Sequence, residues 1–209
     1  MRLRGLAEVV GRVDEDIAIR AVESVLEKGS KFSIASAEDF NRCVDHIVGL
    51  LNDAALLYRF GSYATSAFMS IAAIEEAGKS EMGLYIKQRA GKKVKKDLLC
   101  DHKKKETVAV MPTVAMGQRL VDALGNERIE ELYRLTYSGD LKRLREDVLY
   151  WDIKNGRLEL PEEVVDKAFA RDLLLFSIEV FDDRLVGYTH YSIEVSRATD
   201  KLFREIVGL

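Results

Sequence analysis

The chain has 209 residues, of which 47% are hydrophobic and 32% charged, and this composition is typical of one globular domain or of one domain with an extension. The formal net charge of −3 at pH 7 excludes a general electrostatic attraction to nucleic acid, so RNA binding would need a local basic patch. No apolar run approaches the roughly 20 residues of a membrane span, and the charged N-terminus is unlike a signal peptide, so we expect a cytoplasmic protein without membrane contact.

Helical periodicity in the first half predicts three helices, over residues 3–28, 36–60 and 62–89. Ser36 is the expected N-cap of the second helix, because an acidic residue three positions on completes a capping-box pattern. Gly61 ends this helix, and Ser62 can cap the third. We therefore assign residues 1–35 to an N-terminal helical extension and residues 36–209 to the main domain.

The middle of the chain predicts further helical segments. Residues 98–124 have helical periodicity, with a break or kink near Pro112. Two shorter helices, over residues 126–137 and 138–150, meet at a hinge on Gly139. This half of the protein is therefore expected to consist of shorter helices than the first half.

The last third predicts a non-helical insert over residues 149–160, followed by two helices over residues 161–181 and 184–207. The insert contains Asn155-Gly156, a turn signal flanked by apolar residues, and is either a small hairpin or an extended excursion. Pro161 fits the first position of the next helix, and Asp182 and Asp183 can cap the last one. The predicted class is all-α, a helical bundle with one small non-helical insert.

One carboxylate lies on an apolar face of the third predicted helix. A carboxylate on a core-facing stripe is costly unless a cation or a donor pairs with it, so Glu75 needs a partner. Lys79 is one turn away, and His102 and Arg145 are the other candidates. The plain alternative is an ordinary pair of Glu and Lys side chains on a solvated helix surface. The other members of the stripe are Ala64, Ala67, Phe68, Ile71, Gly78 and Met82.

Basic residues follow this helix in two groups, before and after His102. Together they form the one strong positive cluster of the sequence, and lysines of this kind can hold an RNA backbone. A solvated surface is the alternative for the lysines and for the lone histidine. The candidate RNA-binding residues are Lys92, Lys93, Lys95, Lys96, Lys103, Lys104 and Lys105.

Arg184 and His190 combine a phosphate-binding guanidinium with an imidazole that transfers protons near neutral pH. Metal-independent RNA cleavage needs these two functions. Six positions on a regular helix separate two side chains by roughly 240°, so the pair shares no face. The two side chains meet only if the helix begins or bends between them, for which Gly187 is suitable, or if two chains contribute.

Other catalytic and cofactor motifs do not occur in the sequence. It has no P-loop, no Gly-rich dinucleotide loop and no serine nucleophile elbow. No Glu-x-x-His pair occurs for a di-iron site, and Cys43 and Cys100 form no Cys-x-x-Cys motif. We therefore predict no metal and no cofactor.

Three segments in this order carry a family resemblance: Glu75-Glu76-Ala-Gly78-Lys79, His102-Lys-Lys-Lys105 and Arg145-Glu-Asp-Val-Leu-Tyr150-Trp-Asp152. From about Ser36 to its C-terminus the chain resembles the AbiV-type abortive-infection family, a branch of the HEPN superfamily. That superfamily is marked by Arg-x4-6-His near the start of its last helix, and Arg184 and His190 fit this spacing. Leu185 departs from the pattern, because active members usually have a polar residue after the arginine.

The resemblance implies a HEPN-like helical bundle, a homodimer and a role in antiviral defence. It also implies a metal-independent endoribonuclease that cuts cellular or phage RNA and arrests translation. Arg184 would then bind the scissile phosphate, and His190 would be the general acid or base, with Glu75, Lys79 and His102 orienting or completing the site. The alternative is a non-catalytic protein that binds a phage or cellular protein.

Overall fold

The computed structural model describes residues 33–86, 98–110 and 117–208. Of these residues 80% are helical, which confirms the all-α class. The predicted helix over residues 3–28 lies outside the described residues. Among the helices that are described, none is long and apolar enough to cross a membrane.

Two long helices, α1 (Ala37–Arg59) and α2 (Tyr63–Tyr85), follow each other as predicted. The Ser36 hydroxyl accepts a hydrogen bond from the backbone N–H of Asp39 at 3.1 Å, which confirms the predicted N-cap of α1. Gly61 makes the turn between the helices with a φ of 80°, a conformation that favours glycine. Helix α2 ends before the predicted residue 89, and residues 87–89 lie outside the described part.

Helix α2 is the central element, because α1, α3 (His102–Val110) and α8 (Lys167–Leu185) all pack against it. Its many alanines, serines and glycines let these neighbours approach closely. A Cβ atom at Gly78 would lie 2.1 Å from the carbonyl oxygen of Lys105 in α3. The predicted apolar stripe of α2 therefore faces the core, and Gly78 is the place where α3 crosses it.

The middle of the chain forms a short 3-10 turn (Leu98–Cys100) and helices α3, α4 (Gln118–Leu124), α5 (Asn126–Ser138) and α6 (Asp140–Asp147). Helix α3 ends at Val110 and α4 begins at Gln118, whereas Pro112 lies outside the described residues. Gly139 separates α5 from α6 in a left-handed conformation, with a φ of 88°, which confirms the predicted hinge.

Strands β1 (Asp152–Lys154) and β2 (Arg157–Glu159) form an antiparallel hairpin, the first of the two alternatives for the insert. Asn155 and Gly156 both have positive φ angles, 54° and 76°, as a two-residue hairpin turn with right-handed strand twist requires. The hairpin begins after α6, which ends three residues earlier than the predicted residue 150.

The C-terminal helices differ from the prediction at two boundaries. Pro161 is the first residue of a short helix α7 (Pro161–Val164), but a new N-cap at Asp166 starts α8 separately. The predicted cap at Asp182 and Asp183 is wrong, because both residues lie inside α8.

Helix α8 ends instead at Leu185, and α9 (His190–Val207) follows after a short turn. The sequence contained the signal for this break in Gly187, whose φ is 101°. Thr189 then caps α9 through a bond from the backbone N–H of Ser192 at 3.1 Å.

Candidate functional site

Glu75 is buried at the junction of three helices, with 4% of its surface exposed. Its Oε2 lies 2.7 Å from Nδ1 of His102 and accepts a hydrogen bond from Nζ of Lys105 at 3.1 Å. Its Oε1 lies 3.7 Å from Nε of Arg145 in α6. The expectation of a buried, paired Glu75 is therefore confirmed, with partners on α3 and α6.

The charge on Glu75 is maintained by these partners. Burial alone would raise the pKa of Glu75, but Lys105 and the hydrogen bonds from His102 and Lys105 outweigh burial and hold that pKa below its usual value. Because an ionised carboxylate only accepts, His102 donates from Nδ1. The arrangement fixes the imidazole in one orientation and leaves Nε2 as the nitrogen that can take or give a proton.

Glu106 is a second carboxyl group in the same cluster, and it is fully buried. Burial and the neighbouring Glu75 raise the pKa of Glu106 to about 8, against the lowering effects of Arg145 and Lys105. This raised pKa favours the protonated form of Glu106 near neutral pH. Glu106 was not among the predicted site residues, although it lies one turn from His102 on α3, next to Lys105.

His102 connects the buried cluster to an open cleft of about 490 Å³ between α3 and the α5–α6 turn. The side chain of His102 is 30% exposed, so the imidazole is reached from this cleft. Two lysines, Lys103 and Lys142, and the acid Asp101 also contribute to the lining. Asp101 is engaged by the backbone N–H of Lys104 at 3.4 Å. The full lining is Cys100, Asp101, His102, Lys103, Ser138, Gly139 and Lys142.

Several predicted residues have other partners than expected. Lys79 bonds to Glu76 on its own helix at 2.9 Å, so it is not the partner of Glu75. Lys105 is only 5% exposed and binds Glu75, which corrects its assignment to an RNA-binding surface. Lys103 is exposed and Lys104 is half-buried. Lys92, Lys93, Lys95 and Lys96 lie outside the described residues.

Arg184 and His190 lie on either side of the break between α8 and α9. Arg184 is 7% exposed and donates from Nε to the carbonyl oxygen of Ala109 at 2.9 Å. Its other nitrogens lie 3.7 Å from Glu81 and 3.3 Å from Asp183. His190 is exposed, and within the described part of the chain no hydrogen bond joins it to Arg184.

The surroundings of Arg184 are acidic. Arg119 lies nearby at the start of α4 and binds three carboxylates: Glu179, Asp182 and Asp200. Burial raises the pKa of Asp182 to about 6, although Arg119 lowers it. Counting the partners of Arg184 as well, two guanidinium groups face five carboxylates in this region.

The motif residues of the hairpin segment lie at the surface. Tyr150 is 65% exposed, and Asp152 accepts a bond from the backbone N–H of Ile153. Their neighbours Trp151 and Ile153 are 64% and 63% exposed. This part of the motif therefore forms an apolar surface patch, which we call the hairpin patch, made of Tyr150, Trp151, Ile153 and Leu158.

No group of three or more His, Cys, Asp or Glu side chains in the described residues is arranged for a metal ion.

In a comparison with protein families, the family model HEPN_AbiV, described as AbiV, matches residues 36–180. This match covers more than half of the chain and contains α1 to α7, most of α8 and the Glu75 cluster. Comparisons with curated proteins and with solved structures found no match.

Proposed function

The chain belongs to the AbiV family of HEPN proteins, and on this premise we propose that it is an antiphage-defence endoribonuclease that cleaves RNA without a metal. The observation that carries the proposal is the pairing of Glu75 with His102 at 2.7 Å beside a cleft with two lysines. An imidazole oriented by a carboxylate is suited to general acid–base catalysis near neutral pH. Lysines beside the imidazole are suited to binding the negatively charged phosphodiester of RNA.

The chemistry follows from the groups of the cleft. His102 takes the proton of a ribose 2′-hydroxyl at Nε2, and the 2′-oxygen attacks the neighbouring phosphorus. The bond from phosphorus to the 5′-oxygen breaks, and the leaving oxygen takes a proton from solvent. Lys103 and Lys142 stabilise the charge that develops on the phosphoryl oxygens. The products are a 2′,3′-cyclic phosphate and a free 5′-hydroxyl.

Incubation of the purified protein with single-stranded RNA in the presence of EDTA tests this proposal. We expect cleavage to persist in EDTA and to end in a cyclic phosphate. A substrate with 2′-deoxyribose at the cleavage site is expected to stay intact, because it lacks the nucleophile. The His102→Ala variant is expected to lose this cleavage, and His46→Ala is its matched control, since His46 is an exposed histidine on α1. Intact RNA under all conditions contradicts the proposal.

The pair Arg184 and His190 is the rival centre for the same reaction. In the single chain Arg184 is buried among acids, so it reaches a phosphate only after its partners separate. We propose that the protein is a homodimer with α9 at or near the interface, which would bring further groups to His190. Light scattering at micromolar concentration is expected to report a dimer, and a monomer contradicts this part.

A non-catalytic binding function is the second candidate, and the hairpin patch favours it. Exposed aromatic side chains are common anchors of protein–protein interfaces. In this case the partner is a phage or cellular protein, and the double variant Trp151→Ser, Ile153→Ser loses growth arrest while the His102→Ala variant keeps it. If growth arrest follows His102 and not the patch, the binding function is contradicted.

A further inference from the structure

Four buried polar atoms around Glu75 have no hydrogen-bond partner among the described residues: Oε1 of Glu75, both carboxyl oxygens of Glu106, and Nε of Arg145. The carboxyl groups of Glu75 and Glu106 lie in contact with each other. Two ionised carboxylates in contact only repel, and buried acceptors without donors are costly. Three of the four atoms are carboxyl oxygens, and the one donor, Nε of Arg145, lies 3.7 Å from Oε1 of Glu75, too far for a hydrogen bond. A proton on one carboxyl group would therefore supply the donor that these oxygens lack.

We propose that Glu106 carries a proton in the folded protein and donates it to Oε1 of Glu75, so that the two carboxyl groups hold one negative charge and Glu106 is a positioning residue for His102. This single proton removes the repulsion and supplies the missing donor. Oε2 of Glu75 then remains available to His102 and Lys105. What the proposal says about catalysis rests on the proposed function, whereas the shared proton does not.

The charges that face the pair come from two helices. Lys105 and His102 lie on α3, on the same element as Glu106, and Arg145 reaches it from α6. With one proton shared, one negative charge faces the two permanent cations Lys105 and Arg145. With both carboxyl groups ionised, a second negative charge enters a site whose one unpartnered donor among the described residues is Nε of Arg145. The protonated form therefore keeps His102 in its orientation.

Carbon-13 NMR of glutamate carboxyl groups, in the full chain without RNA, tests the shared proton. The resonance that disappears in Glu106→Gln is that of Glu106, and we expect it to titrate near pH 8. Glu106→Gln is expected to keep the melting temperature within roughly 2 °C of the wild type, because its amide can also donate to Oε1 of Glu75. A Glu106 resonance that titrates near the ordinary value of about 4.3 overturns the proposal.

The ring protons of His102 provide the readout for positioning. In the wild type we expect the chemical shifts of these ring protons to move near pH 8 as Glu106 ionises, and this movement to be lost in Glu106→Gln. The exposed His46 is the internal control, and its ring-proton shifts are expected not to differ between the two proteins. If Glu106 is already ionised at neutral pH, the wild type shows no such movement near pH 8, and the proposal is wrong.

Neither measurement needs RNA, so a protein that does not cleave RNA can still be tested for the shared proton. If Glu106→Gln does not fold, the carboxyl titration of the wild type decides alone, with the Glu106 resonance assigned by through-bond NMR experiments.

Discussion

The two regions that contain the candidate catalytic histidines have opposite charge arrangements. Around Glu75, a buried carboxylate is surrounded by His102, Lys105 and Arg145, and the adjoining cleft presents two more lysines. Along α8, next to α2 and α9, two buried or half-buried arginines are surrounded by five carboxylates. The first region attracts an anion at its surface, and the second repels one until its ion pairs open.

In the single chain, a motif spacing does not by itself determine the charge around an arginine. Arg184 and His190 satisfy the spacing expected for the superfamily, yet the guanidinium of Arg184 contacts Ala109 in α3 and Glu81 in α2 and so connects α8 to both helices. Local charge, which depends on residues far apart in sequence, decides whether a phosphate is attracted. The following variants are ways to separate the two regions.

The largest expected effect concerns RNA cleavage. His102→Ala is expected to reduce the cleavage rate by roughly 10²–10⁴-fold, because it removes the proton-transferring group. His190→Ala is expected to have a much smaller effect if the Glu75 region is the reacting centre. Rates measured on the same RNA decide this, and the reverse order assigns catalysis to the α8–α9 junction.

The next effect concerns stability. Glu75→Ala leaves the buried Lys105 without its partner and is expected to cost about 3–5 kcal/mol in the free energy of unfolding. The matched control is Glu76→Ala, whose partner Lys79 is at the surface, with an expected cost below about 1 kcal/mol. Urea unfolding measures both, and equal costs would place Glu75 at the surface too.

The pH dependence of stability separates the regions by their acids. Burial raises the folded-state pKa of Asp182 from 3.8 to about 6. The contribution of the protonated Asp182 to the free energy of unfolding is therefore fully present below pH 3.8 and is lost as the pH rises through 6. A difference of one between the folded-state and unfolded-state pKa values corresponds to about 1.4 kcal/mol in the free energy of unfolding. Asp182→Asn is expected to remove this loss between pH 4 and 6 in unfolding curves. An unchanged pH dependence in the variant contradicts this assignment.

The smallest effects come from two glycines with different roles. Gly78→Ala pushes a methyl group against the backbone of α3 and is expected to cost on the order of 1–3 kcal/mol. Gly187→Ala meets no neighbour, so only its left-handed backbone matters, at about 1–2 kcal/mol. Thermal unfolding compares the two, and only Gly78→Ala is expected to disturb His102, since it displaces α3.

The sequence predicted the elements well where the signal was local. The cap at Ser36, the turn at Asn155-Gly156 and the hinge at Gly139 depend on neighbouring residues, and the structure confirms each. The predicted end of α8 was wrong because Asp182 and Asp183, judged from their neighbours in sequence alone, resemble an N-cap. Their side chains are instead used by two arginines from within α8 and from α4.

The candidate site was predicted only in part, because only some of its contacts join residues that are close in sequence. Apolar periodicity identified Glu75 as a buried carboxylate, since that signal lies within one helix. Which cation reaches it depends on how α3 crosses α2, and this crossing brings Lys105 to Glu75 instead of Lys79. Glu106 had no signal of its own, because its pKa is raised by burial and then by the neighbouring Glu75, and both exist only in the folded chain.

The hairpin patch has an optical consequence. The chain has a single tryptophan, Trp151, and it is 64% exposed on the patch. Indole emission therefore reports on the solvent around the hairpin and hardly on unfolding of the core, so aqueous quenchers should reach it in the native state. A blue shift with loss of quenching on adding a partner would show, without any label, that the partner covers this hairpin.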